Sequence, residues 1–156
     1  MRIRKTPRRS LALAAALAAL PATVLTAPAQ AAAGTPPVDF VELPASPLPP
    51  GHATQAITVT YRNSSPADRT VAPQILIESP EDGPFLDPAS IRLDLLSPDG
   101  QWCTVPLASQ TGTLYTQLIP AKLVLHGHHT LTEHYRVTVV AAAPVQGTVE
   151  PRVALY

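Results

Sequence analysis

Ile91-Arg-Leu-Asp-Leu-Leu-Ser-Pro-Asp-Gly-Gln-Trp102 is the stretch whose reading decides the fold. Ile91, Leu93 and Leu95 alternate with Arg92 and Asp94, the period-two pattern of a half-buried strand. Ser97-Pro98-Asp99-Gly100 then supplies turn chemistry: proline presets φ, Asp suits the next position, and Gly tolerates positive φ. A return strand over Gln101 to Leu107 follows, so the segment reads as a β-hairpin.

The same alternation recurs on both sides. In Gln55 to Arg62, Ile57, Val59 and Tyr61 face one way, and Thr58, Thr60 and Arg62 the other. Asn63 to Asp68 is a turn by composition. In Val71 to Glu78, Ile75 and Ile77 oppose Gln74, Leu76 and Glu78. Leu131 to Val140 puts Leu131, Tyr135, Val137 and Val139 inward; Glu133 interrupts that face and is expected near a strand end. Val38 to Leu43, Thr113 to Leu118, Ala121 to Leu125 and Gly147 to Leu155 are further strands. Pro44 to Pro50 is expected as an extended connector along a sheet edge. Residues 36–156 carry 16 prolines, which helix interiors reject. Seven to nine strands at about ten-residue spacing predict an all-β, two-sheet sandwich.

The first 33 residues stand apart. Arg2, Arg4, Lys5, Arg8 and Arg9 precede an apolar Leu11–Leu20 run, and small residues follow from Ala27 to Ala33. That order predicts a cleaved secretory signal peptide, with cleavage after Ala29, Ala31 or Ala33. The apolar run is shorter than the roughly 20 residues that span a bilayer. Arg8-Arg9-Ser10-Leu11 is a weak match to a twin-arginine signal. No cysteine follows the run and no apolar tail closes the chain, so no stable membrane anchor is expected in the mature form. Gly34 to Pro37 reads as a flexible mature end and residues 38–156 as one domain.

Five of the 11 basic residues fall in the first nine positions, leaving six against 11 acids. The mature domain is therefore mildly acidic, which argues against nucleic acid as a partner. Cys103 is the only cysteine, so no internal disulfide forms; beside Trp102 in an apolar run it reads as a buried small hydrophobe.

Three motifs support a resemblance. Ile57-Thr-Val-Thr-Tyr-Arg-Asn63, Leu93-Asp-Leu-Leu-Ser-Pro-Asp-Gly-Gln-Trp102, and Leu123-Val-Leu-His-Gly127 followed by Tyr135-Arg-Val-Thr-Val139 resemble the single immunoglobulin-like domains of secreted and wall-associated actinobacterial proteins. The resemblance covers about residues 38–156. It implies an immunoglobulin-like sandwich with a non-catalytic structural or binding role at the cell surface or in the medium, its partner an extracellular protein or polysaccharide. The chain has no sorting tail of the kind larger members carry.

Few residues carry chemistry. His126, His128, His129 and His134 lie within nine positions, a density that could hold Zn²⁺ or Cu²⁺; the plainer reading is a polar turn and an exposed strand face, with no cofactor. Glu78, Glu81, Asp82 and Asp87 match no Ca²⁺-loop pattern and read as a solvated loop. Trp102 after a hairpin turn is more often core than platform, yet with the tyrosines it is the candidate for stacking a sugar. Asn63-Ser-Ser65 matches a glycosylation sequon. No nucleophile elbow, His-Glu-x-x-His or phosphate loop is present, so no enzymatic activity is expected.

Overall fold

The computed structural model describes residues 35–156; the signal-peptide reading of residues 1–33 falls outside them. Eleven strands form in the order β1 (Asp39–Glu42), β2 (Ser46–Pro47), β3 (Thr54–Arg62), β4 (Arg69–Glu78), β5 (Ile91–Leu96), β6 (Trp102–Val105), β7 (Leu107–Gln110), β8 (Thr113–Thr116), β9 (Leu123–Leu125), β10 (Thr130–Val139) and β11 (Thr148–Leu155). A single 3₁₀ turn, Pro88–Ser90, precedes β5.

The strands make two antiparallel sheets packed as a sandwich, as the alternation predicts. The seven-stranded sheet runs β1-β11-β4-β8-β7, with β2 beside β1 on β11 and β9 beside β8 on β4; the four-stranded sheet runs β3-β10-β5-β6. Between them sit Ile57, Val59, Val71, Ile75, Ile77, Leu93, Leu114, Val137, Val139, Val149 and Val153, all buried.

The pairing is nested. β1 pairs with β11, β3 with β10, β4 with β8 and β9, and β5 with β6. That is the double Greek key of a jelly roll; an immunoglobulin domain instead arranges its strands as ABED and CFG. Alternation in a sequence says which face a residue takes, not which strand lies beside it, so the order could not be read in advance.

Two prolines stand inside central strands, where a lost N–H normally forbids them. Each faces a break in the neighbouring ladder. Pro151 lies between the residues of β11 that pair with β1 and those that pair with β2. Its carbonyl accepts from Leu43 N–H at 2.9 Å, which places its nitrogen on that same side. Pro73 lies between the parts of β4 paired with β8 and with β9. Two residues on, Ile75 N–H points the same way and donates to Thr116 Oγ1 at 3.1 Å.

The expected hairpin is present: Gly100 has φ 82° and donates to Ser97 O at 2.9 Å. The single return strand expected over Gln101 to Leu107 is split. β6 pairs with β5 in one sheet, β7 pairs with β8 in the other, and Pro106 marks the crossing. Glu133 is not at the end of its strand. It lies midway along β10, on the inward face, where its carboxylate accepts from the Tyr135 hydroxyl. Burial, and then the Glu133 charge, push the Tyr135 hydroxyl well above the usual phenol range.

Candidate functional site

The outer face of the four-stranded sheet carries the densest polar network. β5 and β10 set Asp94 opposite Arg136, and β5 and β6 set Asp94 opposite Thr104. Asp94 is only 3% exposed. One carboxylate oxygen accepts from Thr104 Oγ1 at 2.8 Å. The other accepts from Arg136 Nε at 2.9 Å and pairs with Arg92 Nε at 3.4 Å. Burial opposes the charge, but these hydrogen bonds and the two guanidinium groups outweigh it and hold the Asp94 carboxyl below its ordinary value.

Trp102 stands at the edge of this network, 39% exposed. The core position expected for it does not occur. It starts β6, an edge strand, and shares the outer face with Asp94 and Arg136. The Arg136 guanidinium lies 4.5 Å from its ring centroid, a cation–π contact that occupies one face of the indole. Cys103 is also exposed rather than buried, since the same edge strand lacks a neighbour on one side.

Two other cations sit on aromatic rings. Arg152 lies 4.0 Å over Phe40, donates to Gln74 Oε1 at 2.8 Å and approaches Glu42 at 3.8 Å. Lys122 lies 3.6 Å over Tyr156. On the outer face of the larger sheet, burial and the nearby Glu78 and Glu42 charges raise the Glu150 carboxyl, with Arg152 opposing them.

The histidines divide. His126, His128 and His129 form the turn between β9 and β10, with His128 at φ 62°. His126 Nδ1 is 2.9 Å from Asp68 Oδ2, and Gly127 N–H donates to Asp68 Oδ1 at 3.1 Å. The His126 bond, the largest contribution, holds the exposed Asp68 carboxyl below its usual value. The His129 ring meets the His126 ring edge-on at 5.7 Å. His134 is elsewhere, midway along β10, with Nδ1 3.2 Å from Thr58 Oγ1 on the neighbouring strand. Among the described residues, no three His, Cys, Asp or Glu side chains come together as a metal-ligand group. His126, His129 and Asp68 are the nearest approach to one. In the acidic loop, Asp87 caps the 3₁₀ turn through Ala89 N–H at 2.8 Å.

In the sequence Asn63 opens a turn and a sequon; in the structure it is the hub of this end of the molecule. It is 1% exposed. Its Nδ2 donates to the carbonyls of Ala67 at 2.8 Å, Leu125 at 3.1 Å and His126 at 3.3 Å, and its Oδ1 accepts from Ser65 N–H at 3.2 Å. The amide ties the 63–68 turn to the histidine turn, and an amide so enclosed is no glycan acceptor. The two turns also touch directly: a Cβ at Gly127 would collide with the Pro66 carbonyl. No protein-family model matches the chain, and no curated protein sequence matches it.

Proposed function

We propose that the protein is a secreted, non-catalytic β-sandwich module that works by contact, in a structural or binding role at the cell surface or in the medium. The Asp94 network carries this reading. On the outer face of the four-stranded sheet, the carboxylate, both arginines and the Thr104 hydroxyl are directed at one another, so the groups that could do acid–base work instead bind strands together. The same holds for Arg152, which is divided among Gln74, Phe40 and Glu42. Recovery of the protein from the medium and surface of its producing cell, with its N-terminus read by mass spectrometry, tests the reading. A mature chain beginning at Gln30, Ala32 or Gly34 supports it; a chain retained in the cytosol with the leader intact refutes it.

One observation favours a second reading. Trp102 is exposed, and its indole face away from Arg136 could stack on a sugar ring. Co-sedimentation with insoluble polysaccharide separates the two. Binding that Trp102→Ala abolishes supports the carbohydrate reading, and protein left in the supernatant supports the structural one. The zinc reading of His126, His128, His129 and His134 is supported only by their density, and calorimetric titration with Zn²⁺ tests it.

A further inference from the structure

The break beside Pro73 opens a window into the sandwich. β8 runs along β4 as far as Leu76, and β9 resumes at Val71. Between them the chain leaves the sheet and closes on itself in two turns, with Ala121 N–H donating to Leu118 O at 3.1 Å and Lys122 N–H to Ile119 O at 3.3 Å. The far end of this excursion is pinned: the Lys122 ammonium lies over Tyr156 and donates to Thr35 O at 3.2 Å. The near end is pinned by Thr116, whose hydroxyl accepts from Ile75 N–H and whose carbonyl accepts from Gln74 Nε2 at 2.9 Å. Pro73, with no N–H to offer, leaves the gap without an orphaned donor. The ladder is held open by residues suited to a gap, not by a missing contact.

The gap leads to a pocket of about 280 Å³, lined chiefly by Pro73, Leu95, Val105, Pro106, Pro120 and the Tyr135 ring. No charged side chain lines it. A water molecule needs two to four polar partners to be held well; of the polar residues that also line the pocket, Thr104 and Thr116 already engage their hydroxyls with Asp94 and Ile75 N–H, which leaves Gln117. A dry, closed cavity of about 150 Å³ already accepts benzene. This pocket has about twice that volume and is open to solvent on one side. We propose that the window is a binding site for a small, uncharged, largely apolar molecule of about the size of a bicyclic aromatic. The recognition is by shape and by release of poorly bonded water, with the proline rings and Tyr135 as flat walls. It goes beyond the contact role proposed above, which stands whether or not the window is occupied.

Indole is a suitable probe, titrated into the full mature protein and followed by methyl and aromatic NMR. The expected result is saturable shifts confined to Leu95, Val105 and Tyr135, with intermolecular NOEs from indole to the Val105 methyls. Ala121→Phe, which fills the pocket from its outer wall, should weaken binding by about tenfold or more. Shifts that fail to saturate, or that scatter over the surface without NOEs to Val105, overturn the proposal. So does undiminished binding by a folded Ala121→Phe protein. Should that variant not fold, the NOEs in the parent protein decide.

Discussion

Replacing Asn63 by alanine tests whether one amide holds two turns together. The side chain is 1% exposed and makes four hydrogen bonds. Nδ2 has only two hydrogens, so its three contacts count as about two full bonds, and the Oδ1 contact with Ser65 N–H adds a third. A net hydrogen bond is worth about 1 kcal/mol, and a buried partner left unsatisfied costs about 1–3 kcal/mol. Water can reach the partly buried Ala67 and His126 carbonyls but not the buried Leu125 carbonyl. The expected loss is therefore about 3 kcal/mol, a fall in Tm of about 10 °C for a domain of this size. Thermal unfolding followed by far-UV circular dichroism measures it. Asn63→Asp sharpens the test. The aspartate keeps the volume but turns an oxygen toward three carbonyls, and its charge is buried. Its folded pKa must rise, so stability is present in full below the unfolded carboxylate value and lost as pH rises through the folded one. At neutral pH Asn63→Asp should be less stable than Asn63→Ala and should recover on acidification. An Asn63→Ala protein within about 0.5 kcal/mol of the parent, or an aspartate variant as stable as the parent at neutral pH, refutes the reasoning.

The Asp94 carboxyl is held below its ordinary value of 3.8. The stability it lends is complete above that value and is lost as pH falls through the folded one. Asp94→Asn should cost about 1–3 kcal/mol at neutral pH and flatten the acid limb of a stability–pH curve measured in urea. Glu150 has the opposite sign, raised above 4.5 by burial and by Glu78 and Glu42. Its stability is full below the unfolded value and lost as pH rises, so Glu150→Gln should gain about 0.5–1 kcal/mol at neutral pH; an equal gain at about pH 3, where both side chains are neutral, would contradict this. Exposed Cys103 should react fully with a thiol reagent in the native protein, without denaturant; a thiol silent until unfolding would contradict its edge position.

Strand existence and facing were legible because they are local. Ile91–Leu96 is a strand over the very residues whose alternation marks it, and Ile75 and Ile77 are buried while Glu78 on the other face is exposed. Gln74 is the exception on that outer face, covered because Arg152 and Thr116 engage its amide. Trp102 and Cys103 misled for a reason of topology. An apolar pair after a turn is buried only when its strand is flanked on both sides, and β6 is an edge. Glu133 misled because a carboxylate on an inward face is unfavourable unless a partner exists, and Tyr135 two residues on supplies one. Pro73 and Pro151 were the unread signal: a proline within an otherwise regular strand pattern points to a gap in the adjacent ladder. The Asn63 hub depends on carbonyls more than sixty residues away in sequence, beyond any motif.

The nested pairing governs how this chain can acquire its shape. β11 is the penultimate strand of the larger sheet, between β1 and β4, yet it comes last in chain order among the described strands. Asp39 finds its partner only in Leu155, so the largest loop must close before the first strand gains anything. Contacts of such long sequence separation make for slow, cooperative folding. Removal of Thr148–Leu155 deprives β1, β2 and β4 of a neighbour in a single stroke.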